Sequence, residues 1–144
     1  MTLLDKLLIL AIAAQVLLTL GVLVLMGRER VPRVMSGEIK VDDIAVSREA
    51  YPLKARLLSN NFDNQFQLPV LFYVAALLAL WSHVGWVEVI LAWVFVVSRF
   101  VHAAIHVTSN RVHRRFAAYT FGMAVLSLLW LWLVVRLVIL APSI

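Results

Sequence analysis

The residues of this chain best suited to chemistry lie in Ser98–Tyr119, SRFVHAAIHVTSNRVHRRFAAY. There Arg99, His102, His106, Asn110 and His113 recur at spacings of three or four, within and just beyond an apolar segment. At helical pitch those spacings place all five on one face. Guanidinium and imidazole groups can hold anions, stabilise a thiolate or move protons. A second concentration, Asn60, Asn61, Asp63, Asn64, Gln65 and Gln67, offers amides and one carboxylate. An ionisable side chain at membrane depth costs at least ~2.5 kcal/mol, so the Arg/His stripe must face a bundle interior, a subunit interface or a water-filled cleft.

Membrane depth follows from composition. The chain has 144 residues, 63% of them hydrophobic and only 15% charged, which is too apolar for a soluble domain of this size. Leu7–Met26, Val84–Val107 and Phe116–Leu140 each reach the roughly 20 residues needed to cross ~30 Å of hydrocarbon. A fourth run, Leu68–Trp81, is long enough if 57–67 forms the first part of the same helix. The expected fold is therefore an all-α integral membrane bundle, one domain over 1–144. Its four transmembrane helices fall at about 4–26, 53–81, 85–108 and 115–140, with a polar loop at 27–52. Helix one ends at Gly27 in this reading, and Pro69 kinks helix two by freeing a carbonyl near Gln65. The first apolar run exceeds a signal-peptide core and lacks a small-residue cleavage pattern, so it is expected to be kept as a span.

The net charge of +5 is unevenly placed. Arg28, Arg30, Arg33, Lys40, Arg48, Lys54 and Arg56 lie between helices one and two, and Arg111, Arg114 and Arg115 between helices three and four, while the Ser82–Trp86 turn has no Lys or Arg. The positive-inside rule then puts the first and third connections in the cytoplasm and both termini on the other side. Topology and anionic headgroups account for these basic residues without nucleic acid. No cysteine is present, so sulfur chemistry would have to come from a ligand. No acidic or thiolate ligand stands within two turns of His102 and His106 on their helix, and no metal site is expected. A small drug exporter would call for a membrane-embedded carboxylate, and helix one offers only Gln15 and helix four none. His83, Glu88, Trp81 and Trp86 read as interfacial, and Arg136 as snorkelling to the far interface.

NNFDNQFQLPVLFYV together with SRFVHAAIHVTSNRVHRRFAAYTFG resembles the MAPEG family, the membrane-associated proteins of eicosanoid and glutathione metabolism, and its short bacterial members in particular. The resemblance runs from helix one through helix four. It implies a four-helix bundle assembled as a homotrimer in a bacterial inner membrane, with glutathione as co-substrate between subunits and a lipophilic electrophile arriving from the bilayer. The family's Asn-x-x-Glu motif falls on Asn64 and Gln67, so the carboxylate is replaced. An arginine four residues earlier falls on Asn60, with Arg56 one turn further back as a substitute. Arg99 falls on a family arginine, His102 on a His/Tyr position, His106 on a tyrosine position and Tyr119 on a tyrosine. The arginine credited with stabilising the glutathione thiolate falls on Arg115, or on Arg114 or His113 with a small gap. The resemblance thus implies Arg115 or Arg114 as catalytic, and Arg56, Asn60, Asn64, Gln67, Arg99, His102, His106 and Tyr119 as binding residues. The activity implied is conjugation or reduction of hydrophobic electrophiles. The alternative is a family scaffold that binds a lipid or another small anion without turnover.

Overall fold

A computed structural model describes residues 1–140. Among these there are four helical units long and apolar enough to cross a membrane, Leu3–Met35, Leu53–Trp81, Trp86–Val107 and Val112–Ile139. Helix α1 spans Leu3–Met35. It opens on a reciprocal cap, in which the Asp5 N–H donates to Thr2 Oγ1 at 3.1 Å and the Thr2 N–H to the Asp5 carboxylate at 2.6 Å.

The expected end of helix one at Gly27 is not where the helix stops. It continues through Gly27 to Met35, about 50 Å in all at 1.5 Å per residue. Side-chain pairing explains the extension. Glu29 binds Lys54 Nζ at 2.5 Å and Arg33 at 3.8 Å, and Arg33 binds Glu38 at 2.7 Å. Pro32 falls in the last turn, where little helix remains for it to disrupt. The polar connector shortens accordingly to 36–52. It carries a 3₁₀ turn at Asp42–Ile44 and a small core of its own, Ile39, Tyr51 and Ala55 packed with Val34 and Ile44.

The predicted continuous helix over 53–81 is two helices, α2 (Leu53–Asn64) and α3 (Leu68–Trp81). The expected kink is a break at 65–67. Pro69 then sits in the first turn of α3, where its missing N–H leaves no intrahelical bond unmade. Helix α4 spans Trp86–Val107, and α5 spans Val112–Val134 before a π-helical turn at Val135–Ile139. The chain reverses between α4 and α5 at Asn110, whose φ of 43° is left-handed and better tolerated by Asn than by most side chains. Asn110 and His113 therefore do not share the helical face of Arg99, His102 and His106, because α4 ends before them.

Helix α4 packs along α5 and against α1 and α2, while α3 packs chiefly on α5. The core holds Leu8, Phe72, Phe95, Val96, Leu126, Leu129 and Leu133, with the Phe72 and Phe95 rings 5.0 Å apart. Small residues permit the closest approach of α4 and α5: a Cβ on Gly122 would lie 2.7 Å from Ser98 Oγ.

At the end of the bundle opposite the Arg/His stripe, Glu88 is not interfacial. It is 1% exposed and ion-paired with Arg136 at 2.5 Å. It also accepts from Trp132 Nε1 at 2.8 Å and from the Gly85 N–H at 3.0 Å. Nor does Arg136 snorkel freely. It donates to the His83 carbonyl at 2.8 Å and to Ser82, neutralising the C-terminal end of α3. A buried ion pair survives desolvation only when its remaining donors and acceptors are satisfied, and here they are.

Candidate functional site

The break between α2 and α3 builds the site. Ending α2 at Asn64 leaves carbonyls without intrahelical partners, and side chains from neighbouring helices supply them. Arg99, two turns inside the end of α4, donates from Nη2 to the Asn64 carbonyl at 3.3 Å. Gln65 Nε2 donates to Asn61 Oδ1 at 3.2 Å and to the Asn61 carbonyl at 3.3 Å, and its Oε1 accepts from Gln15 Nε2 at 3.0 Å. Asn61 Nδ2 in turn reaches the Ala103 carbonyl at 3.3 Å. This buried amide chain ties α1, α2 and α4 together. It fixes the height of α2 against α4 and so the distance of Asn64 from Arg99.

Arg99 has no exposed surface, and its Nε and Nη1 have no hydrogen-bond partner. Among the described residues no carboxylate pairs with it. Its guanidinium carbon lies 5.6 Å from the centroid of the Tyr119 ring, a cation–π contact that offsets only part of the charge. His102 and His106 are each 2% exposed, with ring centroids 5.7 Å apart. His102 Nδ1 and both ring nitrogens of His106 lack partners. Buried donors and acceptors in native proteins are normally paired, so this concentration of unpaired ones marks a place built to receive something.

The place is a polar cavity of about 530 Å³ lined by Asn60, Asp63, Asn64, Gln67, His102, His106, Val112, Arg115, Phe116 and Tyr119. Its volume lies in the usual range for a small-molecule site. Of the residues predicted for the site, Asn60, Asn64, Gln67, His102, His106, Tyr119 and Arg115 line it together, with Arg99 directly behind Tyr119 and bound to Asn64. Arg115 is half-buried and held by Asn110 Oδ1 at 2.7 Å. Arg114 is exposed and outside the lining, because successive residues on a helix point about 100° apart. Arg56 is half-buried and also outside the lining. Tyr119 Oη approaches Gln67 Oε1 at 3.5 Å, spanning the cavity from α5 to the α2–α3 break.

Asp63, the carboxylate of the second polar concentration, joins the lining, as do Val112 and Phe116, which no sequence pattern singles out. Arg48, read there only as a topogenic charge, crosses from the connector to the cavity mouth. It pairs with both oxygens of Asp63, at 2.5 and 3.2 Å, and stands 3.5 Å from Asn60 Oδ1. This hydrogen bonding raises the Arg48 guanidinium pKa above its usual value, so it stays cationic at any pH the protein meets. No one-dimensional pattern pairs residues fifteen positions apart across a turn, a helix and a loop.

A second, almost wholly apolar groove of about 460 Å³ runs along α4 and α5, lined by Trp93, Val94, Val97, Ser98, Val101, Ala118 and Phe121. Polar cavity and apolar groove thus share one helix pair, as a site for a polar ligand and a lipophilic one would. Among the described residues no group of three or more His, Asp or Glu side chains is arranged to hold a metal ion. The sequence model of the MAPEG family matches residues 8–135. No curated protein and no solved structure matches the chain.

Proposed function

The chain belongs to the MAPEG family, and from that premise we propose that it is a membrane-embedded glutathione-dependent transferase or peroxidase acting on lipophilic electrophiles at the subunit interface. The observation that carries the reading is the uncompensated cation at the wall of a polar cavity. Arg115 lines the cavity, and Arg99, fully buried with two unpartnered nitrogens, stands behind Tyr119 of its wall. An anionic ligand pairs directly with Arg115 and offsets the charge of Arg99 at longer range.

Free thiols titrate near 8.5, and only the thiolate is a good nucleophile. Arg115 lies in the first turn of α5, where its charge adds to the positive end of the helix dipole. Anchored by Asn110, it holds the thiolate sulfur, and the thiol proton passes to water. The sulfur lone pair then forms a bond to an electrophilic carbon of the lipophilic substrate. The electron pair displaced from that carbon collects on the substrate, which takes up a proton from water. With a lipid hydroperoxide the sulfur attacks oxygen instead, releasing the alcohol. A second glutathione reduces the resulting sulfenic acid to the disulfide and water. The apolar groove beside Ser98 suits the lipophilic partner. In this reading the protein works as a homotrimer in a bacterial inner membrane with both termini outside the cytoplasm, and the cavity opens at the cytoplasmic end, where the basic connectors lie.

Gln67 at the cavity wall, in place of the carboxylate that the family motif carries, favours a second reading. In it the scaffold binds another small anion or a lipid headgroup without turnover. Calorimetric titration of glutathione into the detergent-purified protein separates the two. Binding in the micromolar to low millimolar range that Arg115→Ala abolishes supports the enzyme, and an electrophile screen then follows. No heat up to ~10 mM, beyond the usual range for enzyme substrates, refutes it.

A further inference from the structure

The mouth of the polar cavity differs in charge from its inner wall. The inner wall carries Arg115, with the fully buried Arg99 behind Tyr119, whereas Asp63 is the one acidic residue of the lining and is matched by Arg48. Arg48 does not dangle. The Tyr51 N–H donates to its carbonyl at 3.2 Å, and Tyr51 is 3% exposed, packed in the connector core with Ile39 and Ala55. The Arg30 guanidinium lies 4.5 Å from the centroid of the Tyr51 ring. The loop backbone is thereby tied to the end of α1 and the start of α2, and the guanidinium is delivered to Asp63.

The side chains of Arg48 and Asp63 are 43% and 48% exposed. A pair so well hydrated contributes little to folding and opens at low cost. Its two charges face a cavity whose occupant must reach past them. A purely anionic ligand end would meet Asp63, and a purely cationic one would meet Arg48. A zwitterionic end inserts with each charge matched, its ammonium on Asp63 and its carboxylate on the Arg48 fork, with Asn60 beside both.

We infer that Arg48 and Asp63 are the specificity-determining pair of the cavity mouth, selecting ligands that end in an α-amino-acid group carrying both an ammonium and a carboxylate. The inference rests on the glutathione reading for the rest of the ligand. It moves recognition of that group onto a connector arginine and a carboxylate one turn before Gln67.

The test is calorimetric titration of the intact detergent-purified protein with glutathione and with its analogue in which hydrogen replaces the glutamyl α-amino group. The wild type is expected to bind glutathione about tenfold tighter than the analogue, the scale of one partly exposed charge-assisted hydrogen bond. Asp63→Asn removes that preference by weakening glutathione alone. Arg48→Gln weakens both ligands about tenfold, and Arg48→Lys recovers part of the loss. Glutathione binding that is the same in the wild type, Asp63→Asn and Arg48→Gln overturns this inference and leaves the proposed function standing. Absence of binding by the wild type overturns both.

Discussion

Replacing Arg99 by methionine separates a ligand-binding arginine from a structural one, because the two roles predict opposite signs for stability. Arg99 is completely buried, keeps one carbonyl acceptor at 3.3 Å and leaves two nitrogens unpaired. Its loss forfeits a hydrogen bond to a charged group, worth about 1.5–3 kcal/mol. The same change relieves the desolvation of a guanidinium with no counter-ion, a penalty of several kcal/mol. Methionine is flexible enough to fill most of the vacated volume. The net expectation for the ligand-free protein is stabilisation by about 1–3 kcal/mol, of the kind seen when buried charges give way to apolar side chains. For a chain of this length that corresponds to a rise in Tm of about 3–10 °C. Thermal unfolding in detergent, followed by tryptophan fluorescence with and without glutathione, supplies both readouts. The wild type gains stability with ligand by mass action, and Arg99→Met does not. A fall in Tm of more than about 3 °C in the ligand-free variant, about 1 kcal/mol on the same scale, would mean that Arg99 holds the bundle together. The argument from its missing counter-ion would then be refuted.

Two other outcomes follow from the packing. Glu88→Ala leaves Arg136 facing the C-terminal end of α3 without its counter-ion, and a double-mutant cycle with Arg136→Met in the same unfolding assay should give a coupling of about 2 kcal/mol; a value within error of zero would reduce the pair to a surface contact. Gly122→Ala places a methyl group 2.7 Å from Ser98 Oγ and should cost about 1–3 kcal/mol. Because Ser98 Oγ is itself held by the Phe95 carbonyl at 2.6 Å, adding Ser98→Ala should restore most of that loss, and no restoration would place the clash elsewhere.

Much of this was readable from one dimension. Hydrocarbon is so poor a solvent for polar groups that four apolar segments, and the periodicity of Arg99, His102 and His106 along one of them, specify four helices and a face that must turn inward. The quoted segments also carried the family. The same reasoning extended the stripe to Asn110 and His113, because periodicity has no term for the left-handed turn that ends α4. It ended helix one at Gly27, because propensity does not register that Glu29 finds Lys54 on another helix.

Which faces meet is settled by packing alone. Arg115 rather than Arg114 lines the cavity because the packing of α5 on α4 selects one of two directions about 100° apart. Glu88 becomes a buried anion because α5 brings Arg136 and Trp132 to it. Arg48 reaches Asp63 because a small loop core around Tyr51 aims it there. A helical repeat states how one element divides its surface between oil and polar partners. The identity of those partners depends on distances between elements remote in sequence, and those exist only once the bundle is packed.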